Sequence, residues 1–461
     1  MTGRQTFYEA RRRERQAARA WLASFATVVF ALVFVVGVLL APPLYVLIGL
    51  SLDLLDRAVG APDLLGTLAE IFERLSNGDA PPPLRIAGLL VLAGVPGFAL
   101  LLLGWWRLGR LGGAHAASLA RSLGLRDART GDIEEQQFGN VVAEMAIAAG
   151  CAAPRVQILD SDAVNIGLFG EGSAAVLFAT RGALEHLTRD QTQALAGQVV
   201  ASLVDGDGRL ADRGVRLFEL LGLVVLVAQA PLSVAARRAL RPLFAWRAPG
   251  DAAVEAVRAA LADPMEFLTR HDQAAGRDGE AKPGWREFLL LPLMGSALVG
   301  VVIVPITTSF LLGPLLGLLW RRRRLLADAT AVQLTRNPQA LADAYLACMG
   351  QHTLISANTP WLVHLFALEA TPAPMLRLLS PYPSWRTRIA RLVAQGAIAE
   401  LPAKPPPRVR WTVAAFVLAP LLTVAGVLMV VVVGLSIWLT VALNMLFLAL
   451  PATLLHALLR A

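Results

Sequence analysis

Charge is scarce in this 461-residue chain: Asp, Glu, Lys and Arg supply 16% of it, against 56% hydrophobic residues. Soluble domains carry roughly 25% charged residues. That shortfall, with a mean hydropathy of +0.57, excludes an ordinary soluble protein, and several apolar runs long enough to span a bilayer indicate an integral membrane protein. Cysteine is nearly absent. Cys151 and Cys348 are far apart and neither belongs to a Cys-x-x-Cys pair, so a disulfide framework is excluded and two reduced core thiols in a cytoplasmic domain are expected. The six histidines are His115, His186, His271, His352, His364 and His456. None lies three or four residues from another, so no helix face pairs two imidazoles and no His-Glu-x-x-His occurs. His186, beside Glu185, reads as a surface histidine. A basic patch interleaved with aromatics is also missing, so the net charge of +8 does not point to nucleic acid. No solenoid-period repeat is present.

What the chain does have is arginine beside apolar runs, the pattern that orients membrane spans. Arg11, Arg12, Arg13, Arg15 and Arg19 precede an apolar run from Trp21 to about Leu52. That run is too long for a signal-peptide core, so an uncleaved anchor with a cytoplasmic N-terminus is expected. A first span is predicted over 21–40, broken or kinked at Pro42 and Pro43, and a second over 86–105. The loop between them is acidic and belongs outside the cytoplasm. Within it Leu64, Leu65, Leu68, Ile71, Phe72 and Leu75 share one face of a predicted short helix. Residues 1–110 thus form an arm and two spans. Residues 111–400 form a mixed domain, with short strands at "PRVQILD" and "AAVLFAT" and two apolar helices at about 217–236 and 288–320. Residues 401–461 form a proline-rich hinge and an apolar tail. At about 1.5 Å per residue, 412–458 covers roughly two bilayer cores and fits a hairpin. Trp105, Trp106, Trp320 and Trp411 stand at span ends, as interfacial anchors do.

The segment "TRGALEHLTRDQTQALAGQVVASLVDGDGRL" (180–210) resembles the metal-helix region of the HtpX-like and CAAX-protease-like membrane zinc metallopeptidases. "RRRRLLADATAVQLTRNP" is similar to that family's second motif, matching at Asp328, Ala331, Thr335, Arg336, Asn337 and Pro338. "SPYPSWRTRIARL" is similar to its closing motif, with Pro383, Arg388 and Ile389 in place, and the N-terminal "FYEARRRERQAAR" resembles the start of longer relatives. The resemblance covers roughly residues 1–395. It implies a mainly helical α+β fold: a multi-span membrane protein with a gluzincin-like cytoplasmic metallopeptidase domain. It also implies the bacterial cytoplasmic (inner) membrane.

The same resemblance places Gln198 and Ser202 at the histidine positions, Val199 at the general-base glutamate, Arg324 at the third ligand and Tyr382 at the closing histidine. In a working site, imidazoles at i and i+4 meet one zinc while the glutamate activates its water. An amide, a hydroxyl, a valine and a guanidinium supply neither function. The zinc site is therefore expected to be lost, with no cofactor. Two readings of Arg324 stand side by side. Either its charge replaces the metal, tying Asp328, Asp205 and Asp207 by salt bridges, or it ends the Arg321–Arg324 run as a membrane anchor. "DGDG" (205–208) has Arg216 where a calcium loop needs its twelfth-position acid, so calcium is not expected. Asn165 matches the family's asparagine before the edge strand of the substrate groove. It is either a peptide-groove residue, the strand adding a bound peptide to the sheet, or a structural turn asparagine. The expected function is a proteolytically inactive homologue, a scaffold, adaptor or regulator in membrane protein quality control. Its expected partners are the lipid bilayer and other membrane proteins or peptide segments, an active protease among them. The alternatives are an active zinc endopeptidase with non-standard ligands and a transporter or channel component. Few charges lie within the predicted spans to mark an ion pathway.

Overall fold

Polar residues that punctuate the apolar chain become helix caps. In the computed structural model, which describes residues 6–59, 70–110, 123–276, 312–353, 366–369 and 381–402 apart from short gaps at 72, 75–76, 79–81, 171, 231–232 and 246–249, Asp132 accepts from the amides of Glu134 and Glu135. Thr188 and Gln191 form a reciprocal capping box. Such caps satisfy amides that the first helical turn leaves without partners.

The chain opens with two long helices, α1 (Phe7–Val59) and α2 (Pro82–Arg110). Then come β1 (Arg126–Asp127), α3 (Ile133–Ala149), β2 (Arg155–Leu159), β3 (Ile166–Phe169) and β4 (Val176–Thr180). Five helices follow: α4 (Arg181–His186), α5 (Arg189–Val204), α6 (Asp207–Gln229), α7 (Val234–Phe244) and α8 (Asp251–Ala262). The other helices among the described residues are α9 (Pro264–Gly276), α10 (Gly313–Thr335), α11 (Pro338–Cys348) and α12 (Trp385–Ala394). The fold is mainly helical with one small mixed sheet, ordered β1-β2-β4-β3. β2 and β4 run parallel, and β1 and β3 pair antiparallel to them at the two sides.

Contacts divide the chain into two units. The first comprises Met1–Val28, Leu111–Arg216 and Ser309–Pro406. Its core joins Phe138 and Val141 of α3, Ile158 and Leu177 of the sheet, Leu195 and Val199 of α5, Val332 of α10 and Ile389 of α12. α5 is the central helix, packed on α3, α10, α11 and β3. Gly197 makes the closest approach possible: a Cβ there would meet Met145 Sδ and Thr335 Cγ2 at 3.3 Å each. A smaller cluster, including Phe169, Phe178 and Phe366, covers the other sheet face. The second unit comprises Val29–Arg110, Leu217–Thr308 and Pro407–Ala461. There Gly97 of α2 abuts the backbone of Gly37 on α1 and has no room for a side chain at the crossing, while a Cβ at Gly37 would press on the Phe98 ring at 3.1 Å. Leu220 and Leu223 of α6 cover Gly104 of α2, and Arg258 pairs with Glu219 at 3.5 Å.

Several sequence expectations shift. α1 runs unbroken through Pro42 and Pro43; each proline removes one backbone donor, and the remaining ladder carries the helix on. The apolar stretch 217–236 is not one helix. It begins inside α6, which starts at Asp207, and it ends in α7, whose start is capped by Ser233 accepting from Ala236 at 3.1 Å. Trp320, expected at a membrane interface, is 4% exposed inside the first unit, whereas Trp106 is exposed with Arg107 and Arg110 over its ring. Among the described residues one helix, over Phe7–Phe34, is long and apolar enough to cross a membrane. Leu64, Leu65, Leu68, Phe72, Leu75, Trp411, positions 288–311 and positions 403–461 lie outside the described residues, so the predicted hairpin and most of the 288–320 helix do too. Both cysteines are unpaired, and burial pushes the Cys348 thiol up to about 12.

Candidate functional site: a cleft on the α5 helix

Residues four apart on a helix share a face, so Gln198 and Ser202 point together from α5 with Val199 beside them. With Asp207, Trp320, Arg324 and Phe366 they line a cleft of about 30 Å³, space for one or two waters. Gln198 is 2% exposed, and its Oε1 has no partner among the described residues. Arg324 is 4% exposed. It reaches this cleft from α10, donates from Nη1 to the carbonyls of Phe366 (2.6 Å) and Ala367 (3.4 Å), and lies 3.8 Å from the centre of the Tyr382 ring. Burial, together with nearby Arg388, pushes the Arg324 guanidinium below its ordinary value, while Tyr382 and Asp207 oppose the shift. A guanidinium starts high enough to stay charged at neutral pH. The membrane-anchor reading of Arg324 does not match this buried position.

The expected salt-bridge set is corrected in its pairing. Asp207 makes its contact ion pair with Arg323, whose Nη2 also donates to the Asp205 carbonyl at 2.5 Å. Burial pushes the Asp207 carboxyl up, opposed by Arg323 and by a hydrogen bond from Ser202. Asp205 faces the N-terminal arm instead: Arg11 and Arg15 stand 3.5 and 3.7 Å from Oδ1, and Thr330 donates to Oδ2 at 3.0 Å. Asp328 belongs to Arg388, which grips it through Nε (2.9 Å) and Nη2 (2.6 Å), while the Tyr345 hydroxyl donates to Oδ1 at 2.7 Å. Burial would lower the Arg388 guanidinium, yet Asp328 and Tyr345 hold it above its ordinary value. Arg388 also donates to the Ala367 carbonyl at 3.1 Å. Gln198, Val199, Ser202, Asp207 and Arg324 therefore line one cleft, Tyr382 lies against Arg324, and Asp205 and Asp328 brace the surroundings.

Asn165 is fully buried. Its Nδ2 donates to the Thr353 and Leu368 carbonyls (3.0 and 3.4 Å), and its Oδ1 accepts from the amides of Ile166 and Leu368 (3.0 and 3.2 Å). Both the amide nitrogen and the oxygen of the Asn165 side chain thus bond to backbone. The residues it holds matter more. Phe366 bridges antiparallel to Gly167, and the Ala367 amide donates to the Ile166 carbonyl at 2.7 Å. β3 already pairs with β4 on its other side, and the start of its outer edge, at Ile166 and Gly167, is taken by the chain's own 366–367 segment. Sequence reading missed Arg323, Tyr345 and this segment; only Arg388 carried a signal, through the closing motif.

These residues do not fit zinc. The cleft offers an amide carbonyl, a hydroxyl, a valine and one carboxylate, Asp207, already paired with Arg323, with a fixed guanidinium where an anionic or imidazole ligand would stand. No group of three or more His, Cys, Asp and Glu side chains gathers as a metal site among the described residues.

No family model and no solved structure matches the chain. It is 25% identical over 221 residues to a "Protease HtpX homolog" of Streptococcus thermophilus, covering 47% of this chain and 59% of that protein. It is 27% identical over 217 residues to one of Streptococcus pneumoniae, covering 46% and 58%. It is 28% identical over 130 residues to "Protease HtpX" of Xanthomonas campestris pv. campestris, covering 27% and 41%. The chain thus spans less than two thirds of the curated relatives it matches. Over roughly half its length, the chain is similar to HtpX proteins.

Proposed function

We propose that the chain is a proteolytically inactive member of the HtpX-like membrane metallopeptidases, kept as a scaffold, adaptor or regulator in membrane protein quality control. The observation that carries this reading is the Arg324 guanidinium, buried in the cleft with Gln198, Val199 and Ser202. A unit charge about 4 Å from a divalent cation repels it by several kcal/mol at an effective dielectric near 20. Val199 cannot take a proton from water, so neither half of the hydrolytic apparatus has a group to perform it. The occupied start of the β3 edge adds support, because an extended peptide would compete with 366–367 for the same backbone groups.

In this reading the chain is multi-pass in the bacterial inner membrane, with the first unit cytoplasmic, and its partners are membrane proteins, an active protease among them. Purified full-length chain in detergent, incubated with unfolded casein with and without chelator, tests it. No chelator-sensitive cleavage is expected. Cleavage that a chelator abolishes and added zinc restores would overturn the proposal in favour of an active enzyme with ligands from other positions.

A further inference from the structure

A cavity larger than the α5 cleft lies elsewhere in the first unit. It measures about 370 Å³ and opens between α1, α10 and α12. Arg13, Arg386 and Arg391 line it together with Glu14, Gln395 and apolar residues of α10 such as Leu325. Asp328 also borders it, but its carboxylate is committed to Arg388. Glu14 pairs with Arg391 through Oε1. Three guanidiniums against that one remaining carboxylate leave two positive charges in excess on the walls. Burial, and then repulsion from Arg13, pull the Arg391 guanidinium below its ordinary value.

The cavity also holds acceptors without donors. Glu14 is 4% exposed and Gln395 7%, yet Glu14 Oε2 and Gln395 Oε1 have no partner among the described residues. Their other polar atoms are used: Gln395 Nε2 donates to the Arg391 carbonyl at 3.2 Å. Natural folds leave few such groups unsatisfied, and those that remain call for a water, an ion or a ligand. An occupant matching both features carries anionic oxygens for the arginines and a nearby N–H donor for Glu14 and Gln395. A bare anion meets only the first requirement.

We propose that this cavity binds a phosphate ester with an adjacent ammonium, the phosphoethanolamine group, with the phosphate held by Arg13, Arg386 and Arg391 and the ammonium by Glu14 and Gln395. Arginine forks suit phosphate oxygens. The lipid form is the nearer source. From Arg13 the same helix reaches its apolar run at Trp21 within about 12 Å, at 1.5 Å per residue, and that helix is long and apolar enough to cross a membrane. The site is independent of whether the α5 cleft hydrolyses anything.

The test uses the full-length chain. In detergent, thermal unfolding is followed with glycerophosphoethanolamine, glycerophosphocholine and inorganic phosphate; in phosphatidylcholine nanodiscs, it is followed with and without phosphatidylethanolamine. The ethanolamine compound should raise the midpoint, and the choline compound, whose quaternary ammonium has no N–H to donate, should bind at least about tenfold more weakly. Arg13 is exposed, so Arg13→Gln leaves the fold intact and should weaken ethanolamine binding about tenfold. Glu14→Gln should erase the preference for ethanolamine over choline. A shift in nanodiscs as well as with the soluble compound assigns the site to the lipid, and a shift with the soluble compound alone assigns it to a free phosphoethanolamine ester. No shift with either, an equal response to inorganic phosphate, or unchanged binding in Arg13→Gln would overturn the proposal.

Discussion

Breaking the Asp328–Arg388 pair should cost far more than breaking the half-exposed pairs around it. Its side chains are 4% and 2% exposed, and removing one partner of such a pair leaves a buried charge uncompensated, about 3–5 kcal/mol. Arg155 and Asp127 bond at 2.7 Å, but at 63% and 64% exposure solvent screens them, so that pair is worth about 1 kcal/mol or less. Denaturant unfolding of Arg388→Met and Arg155→Met in detergent checks the contrast; equal losses would contradict it. A second residue-scale prediction concerns acid. The hydrogen bond from Arg126 holds the buried Glu135 carboxyl below its ordinary 4.5, with burial opposing and the Arg129 amide helping. A depressed carboxylate gives stability that is full above its unfolded pKa and lost as pH falls through the folded one. Stability of the first unit should therefore decline below about pH 4.5, and Glu135→Gln should flatten that decline. A wild-type midpoint insensitive to pH down to about 3 would count against the assignment.

At the scale of elements, α5 was legible in the sequence because its signals are local: a capping box at Thr188 and Gln191, small apolar residues, and a Gly-Asp exit. β2 and β4 were legible as short apolar runs. The inward arginine was not. Four consecutive helical residues, Arg321–Arg324, step about 100° each around the axis and sample every direction, so spacing alone cannot say which one meets Asp207. The 366–367 segment was hidden for another reason. Its anchor Asn165 lies 203 residues before Leu368, and nothing local encodes a pairing that distant. Hydrogen exchange checks it: the Ala367 amide should exchange as slowly as amides in β3, and loop-like exchange would contradict the pairing. The restoring change Gln198→His, Val199→Glu, Ser202→His and Arg324→Glu also becomes a test of packing. Removing Arg324 takes its hydrogen bond from the Phe366 carbonyl, a loss of about 1.5–3 kcal/mol. The quadruple variant should therefore melt several degrees below wild type, and an unchanged midpoint would mean that Arg324 does not hold the segment.

For the whole molecule, the two units are woven from segments far apart in sequence, with the N-terminal arm reaching the exit of α5 through Arg11 and Arg15. The similarity to HtpX proteins covers roughly half the chain. In the reading proposed above, the α5 cleft keeps the surroundings of a metal helix without the groups that would touch metal or water, and its arginine donates to the Phe366 and Ala367 carbonyls and lies over the Tyr382 ring. A cleft so arranged should not take zinc. Metal content of the purified full-length chain, by mass spectrometry after dialysis against zinc, tests it most directly. Far less than one zinc per chain is expected; one tightly held zinc per chain would mean that the cleft still binds the metal.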